Sequence, residues 1–579
     1  MGTEFSLPLV DLQHLIAIKL CWAAFVAVGL VCIFTRQHRA KPWFFLAATG
    51  MLFAVSYATL MDNLHLLLWG LQGDEITIAA MFNTFAHQSL WSDFAYHNLP
   101  PFYPPLFFWL FGLWGRLLNW NGIVIAKSAA AVTLALSPLL FYGLMRAYWR
   151  RQPQTDNTPG AEAILLTPLI LFIVNDQAAI IGKPYEFIAA ALTVLWTVFL
   201  YQEVFKTWRW QKSLWFGVTA GLLFMTYYLW LVFAALAFAL MGLGVPKIWQ
   251  WRYYGRLLIV GVVALLTSLP YLGPLILSAF QYGTENWQAA LFTPADLAVR
   301  LPMFEGLGFR NLILLGGLVV LIVYRRNEEV KPLLGLFLAT YFWWAIGAVT
   351  VLLAGVPFQL FRGFYFLMPS VLGMAAAYGL ERVWRHTQRL SPDWRSPLLS
   401  LGVLFISTQF IFGFFADDPL IQARRRDSKE LRSTLRSLVT YLVAETPSTS
   451  RPLTLHTVPE IAAFVPINSF LYFNQHNSNP AANFSARFEY VKIFASAQRA
   501  KDFYEQVSTT PWGRIDRLIV SREGENYRLY FHIDELGRGF REEQVDIAAS
   551  LISPDYFDKV YDNKGLVVWE TRPQAVSSQ

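Results

Sequence analysis

Two adjacent carboxylates, Asp74 and Glu75, lie at the centre of an acidic stretch whose residue types suit acid–base chemistry. The stretch covers residues 62–103 and contains no Lys or Arg. A positioned carboxylate can accept the proton of a hydroxyl group as that hydroxyl attacks an electrophile. Asp74 and Glu75 are therefore the candidate catalytic residues. The other ionisable side chains of the stretch are Asp62, His65, His87, Asp93 and His97.

Long apolar segments must position this stretch. The chain has 579 residues, of which 55% are hydrophobic and 15% charged, whereas soluble domains carry about 25% charged residues. An apolar run of about 20 residues spans the bilayer core as a helix. The sequence therefore predicts an α-helical polytopic membrane protein with about 11–13 transmembrane helices. The predicted spans are 13–34, 43–61, 124–145, 162–180, 187–205, 213–228, 229–245, 256–280, 310–324, 332–355, 364–380 and 397–415.

Basic residues collect in the short segments on one side of this path, which the positive-inside rule assigns to the cytoplasm. The bias holds only if the apolar segment 104–118 does not cross the membrane, so it is predicted to be a helix lying on the outer surface. Loop 62–103 and residues 419–579 then face outside an inner (plasma) membrane. The competing interpretation of the acidic loop is that it merely follows this charge bias.

Lys183 and Arg362 lie on the outer side, where basic residues are rare in this chain. Such cations could bind the phosphate of a donor, Lys as a point charge and Arg through two parallel hydrogen bonds. The alternative is that they extend to the membrane surface from helix ends. Contacts with substrate are predicted for His97, Tyr103, Asp176, Tyr185 and Glu186.

Nucleotide and nucleic-acid partners are not indicated. The chain has neither a Walker loop nor a dinucleotide-binding fingerprint on a βαβ unit, which favours a donor carried on a lipid. The net charge of +7 belongs to the short loops between spans rather than to a nucleic-acid surface. No cofactor is established, although a divalent cation could be held by Asp74, Glu75, His97 and Asp176.

Several segments resemble a known enzyme family. These are Gly73-Asp74-Glu75, the proline- and aromatic-rich stretch 99–110, Lys183-Pro184-Tyr185-Glu186, and a C-terminal pattern over 545–568. Together they resemble the galactan 5-O-arabinofuranosyltransferases of actinobacterial cell walls, a branch of the GT-C superfamily of membrane glycosyltransferases.

The resemblance implies a GT-C fold and a polyprenyl-phosphate arabinofuranose donor. It also implies inverting, extracytoplasmic transfer to a cell-envelope glycan, with Asp74 as the base and Glu75 assisting. The division of labour between Asp74 and Glu75 stays open, as do the sugar and the acceptor.

The composition changes at residue 417, which divides the chain into a transmembrane domain, 1–418, and a soluble α/β domain, 419–579. In the second domain, 424–446 is predicted to be an amphipathic helix near the membrane. Strands are predicted at 518–521, 527–534 and 566–570.

Two other classes of protein compete with a glycosyltransferase. A transporter or flippase of lipid-linked sugars requires ionisable groups and broken helices near mid-membrane, in paired repeats. A receptor or scaffold would leave the acidic stretch without a role. A GT-C enzyme that uses another polyprenyl-phosphate sugar is the remaining alternative. The position of the ionisable residues in outer loops favours the enzyme.

Overall fold

A computed structural model describes most of the chain. The described residues are 9–34, 42–62, 64–68, 70, 73–149, 161–204, 210–244, 247–285, 292–306, 308–387, 431–445 and 451–573.

The first part of the chain is helical throughout its described regular elements, and the helices pack around one large apolar core. The helices are α1 (Leu9–Phe34), α2 (Pro42–Met61), α3 (Asp74–His87), α4 (Leu106–Leu118), α5 (Gly122–Trp149), α6 (Ala161–Val174), α7 (Gln177–Gly182), α8 (Pro184–Val204), α9 (Trp210–Tyr227), α10 (Leu229–Gly242), α11 (Lys247–Tyr282), α12 (Phe309–Val323), α13 (Lys331–Ala354) and α14 (Leu367–Thr387).

Within the described ranges, six helical segments are long and apolar enough to cross a membrane. They confirm the predicted polytopic helical class. Apart from 162–180, the predicted spans as far as 364–380 each fall mainly on one helix, whereas the predicted span 397–415 lies outside the described residues. The six segments are Trp43–Met61, Gly122–Trp149, Pro184–Val204, Gln250–Tyr282, Lys331–Ala354 and Arg362–Val383.

The predicted span 162–180 is broken in the structure. Helix α6 ends at Val174, and the short helix α7 begins at Gln177. The break has a local cause, because the Asp176 carboxylate accepts a hydrogen bond from the Ala179 N–H (3.0 Å) and starts a new helix. The chain therefore changes from α6 to a separate short helix before it reaches Lys183.

The acidic stretch 62–103 is not a plain loop, because it contains helix α3. Gly73 precedes this helix with φ 55°, a left-handed conformation that favours glycine. The charge pattern of this stretch predicts a loop. The structure instead forms a helix there, in which Glu75 to Ala86 are all buried. Helix α3 packs between α4, α5 and the turn Pro459–Ala463 of the C-terminal domain.

Helix α4 confirms the short helix predicted after Pro104 and Pro105. It is amphipathic: Phe107 and Phe108 are buried against the core, while the opposite face is apolar but exposed. An exposed apolar face on a short helix suits a membrane surface. The exposed side chains are Leu110, Leu113, Trp114, Leu117 and Leu118.

The C-terminal domain is a mixed seven-stranded sheet with helices, as predicted. The predicted strands correspond to β3, β4 and β7, and α15 lies within the predicted helix 424–446. Residues 431 and 432 precede α15 and are not helical, and 424–430 and 446 lie outside the described residues. The strands are β1 (Leu453–His456), β2 (Asn468–Ser469), β3 (Arg517–Glu523), β4 (Asn526–Glu535), β5 (Gly539–Ala548), β6 (Phe557–Asn563) and β7 (Leu566–Thr571). The helices are α15 (Ser433–Glu445), α16 (Phe484–Ala495) and α17 (Ala500–Ser508).

Strands β2, β1 and β3 run parallel, and the other pairings are antiparallel. Strand β3 therefore lies in the middle, between β1 and β7, and its Leu518 to Val520 are fully buried. The segments that contact the membrane domain extend from the sheet around this buried central strand.

The two domains are joined by hydrogen bonds between buried groups. The Asn479 amide donates to the Asp93 carboxylate (3.2 Å) and to the Pro100 carbonyl (2.8 Å). The Tyr96 hydroxyl lies 2.7 Å from the Ser478 hydroxyl, and the Ser469 N–H donates to the Ala95 carbonyl (2.7 Å). Because buried polar groups are costly to leave unpaired, the C-terminal domain fixes the segment 93–100.

At Gly122, helix α5 approaches its neighbours closely. A Cβ there would lie 2.0 Å from the Ala79 carbonyl oxygen and 2.9 Å from the Ala463 carbonyl oxygen. We expect Gly122→Ala to lower the free energy of unfolding by about 1–3 kcal/mol, because backbone atoms must shift. Thermal unfolding of the detergent-solubilised chain measures the effect.

Gly143→Ala is the matched control in the same helix, because a Cβ there meets nothing within 4 Å. It should be neutral or stabilise the protein by up to about 1 kcal/mol through helix propensity. Equal melting temperatures for the two variants would contradict the close contact at Gly122.

Candidate active site

Two acidic and two basic side chains from separate elements meet below the C-terminal domain. Lys183 Nζ lies 2.5 Å from Asp74 Oδ2 and 3.7 Å from Glu186 Oε1. Arg362 Nη1 lies 3.4 Å from Glu186 Oε2. We call Asp74, Lys183, Glu186 and Arg362 the four-charge cluster; its formal charges sum to zero.

Helix ends place the two carboxylates. Asp74 begins α3, and Glu186 lies in the first turn of α8. The unpaired N–H groups of a helix N-terminus favour negative charge. Both carboxylates are thus stabilised by their own helix as well as by a cation.

Lys183 is held by the backbone on both sides. Its N–H donates to the Ala179 carbonyl at the end of α7 (2.8 Å), and its own carbonyl accepts from the Glu186 N–H (3.1 Å). Pro184 begins α8, a position that suits its fixed φ. The side chain of Lys183 therefore leaves a rigid corner between two helices.

Arg362 begins a short turn, Arg362–Phe364, between α13 and α14. The preceding Phe358 and Gln359 have φ 47° and 48°, a conformation that is unfavourable for non-glycine residues. The Gln359 amide oxygen accepts a hydrogen bond from Arg362 Nε (3.2 Å). The strained turn thus aims the guanidinium at Glu186.

The cluster opens on the side of Asp74. The side chain of Glu186 is 2% exposed and that of Arg362 is 18% exposed, whereas the side chain of Asp74 is 38% exposed. A ligand that enters the cluster therefore meets Asp74 and Lys183 before Glu186.

Electrostatics keep both ends of the Asp74–Lys183 pair charged. The Lys183 ammonium lowers the pKa of the Asp74 carboxyl to about 2, against the opposing effect of burial. Burial disfavours the charged form of Lys183, but the Asp74 and Glu186 carboxylates outweigh it and raise the Lys183 pKa above its usual value. Asp74 is therefore ionised throughout the physiological pH range.

Aromatic rings surround the cluster. The Arg362 guanidinium lies 5.8 Å from the centre of the Tyr227 ring, and the Tyr185 ring centre lies 6.1 Å from that of Tyr227. The Tyr185 hydroxyl donates to Glu186 Oε1 (3.4 Å). Burial and the nearby Asp74 carboxylate raise the pKa of Tyr103, which faces the same space. Tyr103, Tyr185 and Glu186 thus lie close together, and their contact with substrate stays a prediction.

Glu75, the other predicted catalytic residue, is buried beside Asp74 on α3. Its carboxylate borders a small cavity that is also lined by Tyr57, Phe82 and Tyr185. The lining of this cavity is mostly apolar, and the catalytic role of Glu75 stays a prediction.

The structure separates two predicted substrate contacts from the cluster. Asp176 caps helix α7 through the Ala179 N–H and is exposed. His97 lies on the chain that follows α3, where its Nδ1 is 3.1 Å from Arg451 Nη1. Among the described residues, no three His, Cys, Asp or Glu side chains are grouped so that they could hold a metal ion. The four metal ligands considered from the sequence are therefore not assembled.

One group near the cluster was missed from the sequence. His476 of the C-terminal domain lies near enough for its charge to interact with Asp74, Lys183 and Arg362. Its Nδ1 is 3.8 Å from Asp534 Oδ2 on β4. Burial lowers the His476 pKa to about 4, so the ring is neutral at pH 7. No local motif marks His476, because tertiary docking alone brings it to the site.

We expect Arg362→Met to lower the free energy of unfolding by about 3 kcal/mol, since it leaves the buried Glu186 carboxylate without its arginine partner. The double variant Glu186→Gln/Arg362→Met should recover most of this loss, because it restores charge balance. Thermal unfolding in detergent measures both.

Lys501→Gln provides the control, because Lys501 pairs with Glu505 (3.8 Å) at the exposed surface. An exposed pair contributes less than about 1 kcal/mol. A double variant that is less stable than Arg362→Met alone would contradict the mutual dependence of Glu186 and Arg362.

The sequence is similar to those of known proteins. A family profile described as "Arabinofuranosyltransferase N terminal" matches residues 14–396. The galactan 5-O-arabinofuranosyltransferase of Mycolicibacterium smegmatis is 24% identical over 545 residues, covering 87% of this chain and 82% of that protein. The protein of the same name from Corynebacterium glutamicum is 22% identical over 536 residues, covering 82% and 74%.

The fold was also compared with solved structures. The crystal structure of ArnT from Cupriavidus metallidurans in the apo state is similar with a TM-score of 0.49 and 13% identity. The similarity covers 92% of this chain and 98% of that one.

The family profile covers well over half of the chain, and it includes all members of the four-charge cluster. The described helices make the protein an integral membrane protein. The chain therefore belongs to the arabinofuranosyltransferase family and is a membrane glycosyltransferase.

Proposed function

We propose that the protein transfers an arabinofuranosyl group from a polyprenyl-phosphate donor to a cell-envelope glycan by inverting single displacement. The observation that carries this proposal is the four-charge cluster, in which two cations lie together with a partly exposed carboxylate. Displacement of a phosphate leaving group by a hydroxyl needs these two kinds of group side by side.

Lys183 and Arg362 are the proposed donor phosphate-binding residues. A phosphate diester that enters beside Asp74 competes for the Lys183 ammonium, because that cation is paired directly with Asp74. Arg362 stays paired with Glu186 and faces the phosphate from deeper in the site. Both cations then stabilise the charge that develops on the departing polyprenyl phosphate.

Asp74 is the proposed base. While Lys183 is paired with it, the carboxylate is a weak base, because its pKa is about 2. Engagement of Lys183 by the donor phosphate weakens this pair and raises the basicity of Asp74. The donor therefore binds before the acceptor hydroxyl can be activated.

The proposed chemical step is one displacement at the anomeric carbon of the donor sugar. The acceptor oxygen attacks the anomeric carbon as its proton passes to Asp74. The bond from the anomeric carbon to the phosphate oxygen breaks, and polyprenyl phosphate leaves with the electron pair. Attack opposite the leaving group inverts the anomeric centre. Glu75, buried behind Asp74, assists through its charge rather than by contact with the acceptor.

Charge asymmetry in the sequence supports an extracytoplasmic site. The segments that carry the cluster belong to the side poor in basic residues. The proposal therefore places the C-terminal domain and the acceptor glycan outside the cell membrane. A transporter, in contrast, would have no role for the Asp74 carboxylate.

We expect Asp74→Asn to reduce the rate of transfer by about 100-fold or more, since general-base catalysis typically contributes 10²–10⁴-fold. The measurement is sugar transfer from synthetic polyprenyl-phosphate arabinofuranose to a panel of short glycans. Asparagine keeps the size of the side chain and removes its basicity.

Asp62→Asn is the matched control. Asp62 belongs to the same acidic stretch, but its side chain is 61% exposed and lies 3.4 Å from His14. This variant should transfer sugar at the wild-type rate. Wild-type turnover by Asp74→Asn would remove Asp74 as the base, and transfer only from other polyprenyl-phosphate sugars would change the proposed donor.

A further inference from the structure

A polar cavity lies at the opposite end of helix α3 from Asp74. Its volume is about 590 Å³, and it is formed where the end of α3, the end of α4 and the C-terminal domain meet. A helix of 14 residues is about 20 Å long, so one ligand group cannot occupy the cavity and the four-charge cluster together. The lining residues are Ala86, His87, Gln88, Ser89, His97, Arg116, Asn119 and Arg451.

Two arginines from different domains give this cavity its charge. Arg116 donates hydrogen bonds to the carbonyls of Phe85 (3.0 Å), Ala86 (2.9 Å) and Gln88. Arg451 donates to the His87 carbonyl (3.3 Å) and contacts His97 Nδ1 (3.1 Å). These partners are neutral.

Among the described residues that line the cavity there is no Asp or Glu, so none of them neutralises either guanidinium. Burial lowers the pKa of Arg451 to about 10, and burial together with the Arg451 charge lowers that of His97. Arg451 still carries its charge at pH 7. The cavity is thus electropositive.

The chemistry of the lining distinguishes a phosphate from a sugar. Sugar-binding sites commonly present an aromatic face and a carboxylate, and the described residues that line this cavity include neither a Trp, Tyr or Phe ring nor an acid. Guanidinium groups, in contrast, match the oxygens of a phosphate. Gln88, Ser89 and Asn119 add neutral polar groups suited to a head group.

The cavity also adjoins an apolar surface suited to lipid chains. Arg116 and Asn119 lie at the end of α4, and the exposed face of that helix carries Trp114 (58% exposed) and Leu117 (84% exposed). An amphipathic helix with such a face lies in the membrane interface, at the depth of phosphate head groups. A lipid can then place its phosphate in the cavity and its chains along α4.

We propose that this cavity binds the phosphate ester of an anionic lipid through Arg116 and Arg451. The site is separate from the four-charge cluster and does not depend on the proposed transfer reaction. Because one arginine comes from each domain, the bound phosphate holds the C-terminal domain to the membrane surface. The lipid is either a bilayer phospholipid or a lipid-linked sugar carrier, which share this chemistry.

The test measures binding of phosphatidylglycerol and of polyprenyl phosphate, separately, to the detergent-solubilised full chain by native mass spectrometry. Arg451→Gln should weaken binding roughly tenfold or more, as expected for loss of a charged hydrogen bond. Asn119→Asp should weaken it similarly by placing a carboxylate beside Arg116. Asn119 has φ 53°, which aspartate tolerates, so this variant should keep the fold and the Arg451 contacts.

Arg499→Gln is the control, because Arg499 lies in the same domain with its side chain 75% exposed and paired with Asp502. If the variants weaken binding of phosphatidylglycerol alone, the site binds a bilayer lipid. If they weaken binding of polyprenyl phosphate alone, the site binds a lipid-linked carrier. If they weaken binding of both, the site recognises the shared phosphate. Binding of both lipids that is unchanged in Asn119→Asp overturns the proposal, even if Arg451→Gln unfolds more easily.

Discussion

Charge balance inside an apolar helical domain is the constraint on which the site depends. The four-charge cluster holds two carboxylates and two cations in partly or fully buried positions, and each is stable there only because the others are present. The four side chains come from the start of α3, the corner between α7 and α8, the first turn of α8, and a strained turn before α14. The membrane domain must therefore hold these four helix ends and turns in fixed positions relative to one another.

Helix α3 connects this constraint to the rest of the molecule. Its first residue is Asp74, its middle packs against α5 and the C-terminal domain, and its end borders the electropositive cavity. Asn83 in its middle donates to the Ala462 carbonyl of the C-terminal domain (3.0 Å). The C-terminal domain is thus part of the site rather than an appendage, since it braces α3 and supplies His476.

Much of this arrangement could be predicted from composition and charge. The predicted helices of the membrane domain rest on apolar length, and Lys183 and Arg362 stood out as cations on the side poor in basic residues. The pairing of Lys183 with Asp74, the helical state of the acidic stretch and the approach of His476 could not be predicted. They arise from contacts between segments far apart in the sequence. Asp176 and His97 lie near the cluster in sequence but have their structural partners elsewhere, and their contact with substrate stays a prediction.

The most direct test of the account is a cryo-electron microscopy structure of the full chain with a non-hydrolysable phosphonate analogue of polyprenyl-phosphate arabinofuranose. The account predicts phosphonate oxygens within about 4 Å of both Lys183 Nζ and the Arg362 guanidinium, with the distance from Lys183 to Asp74 increased from 2.5 Å. A phosphonate bound elsewhere, with the pair of Lys183 and Asp74 intact, would contradict it.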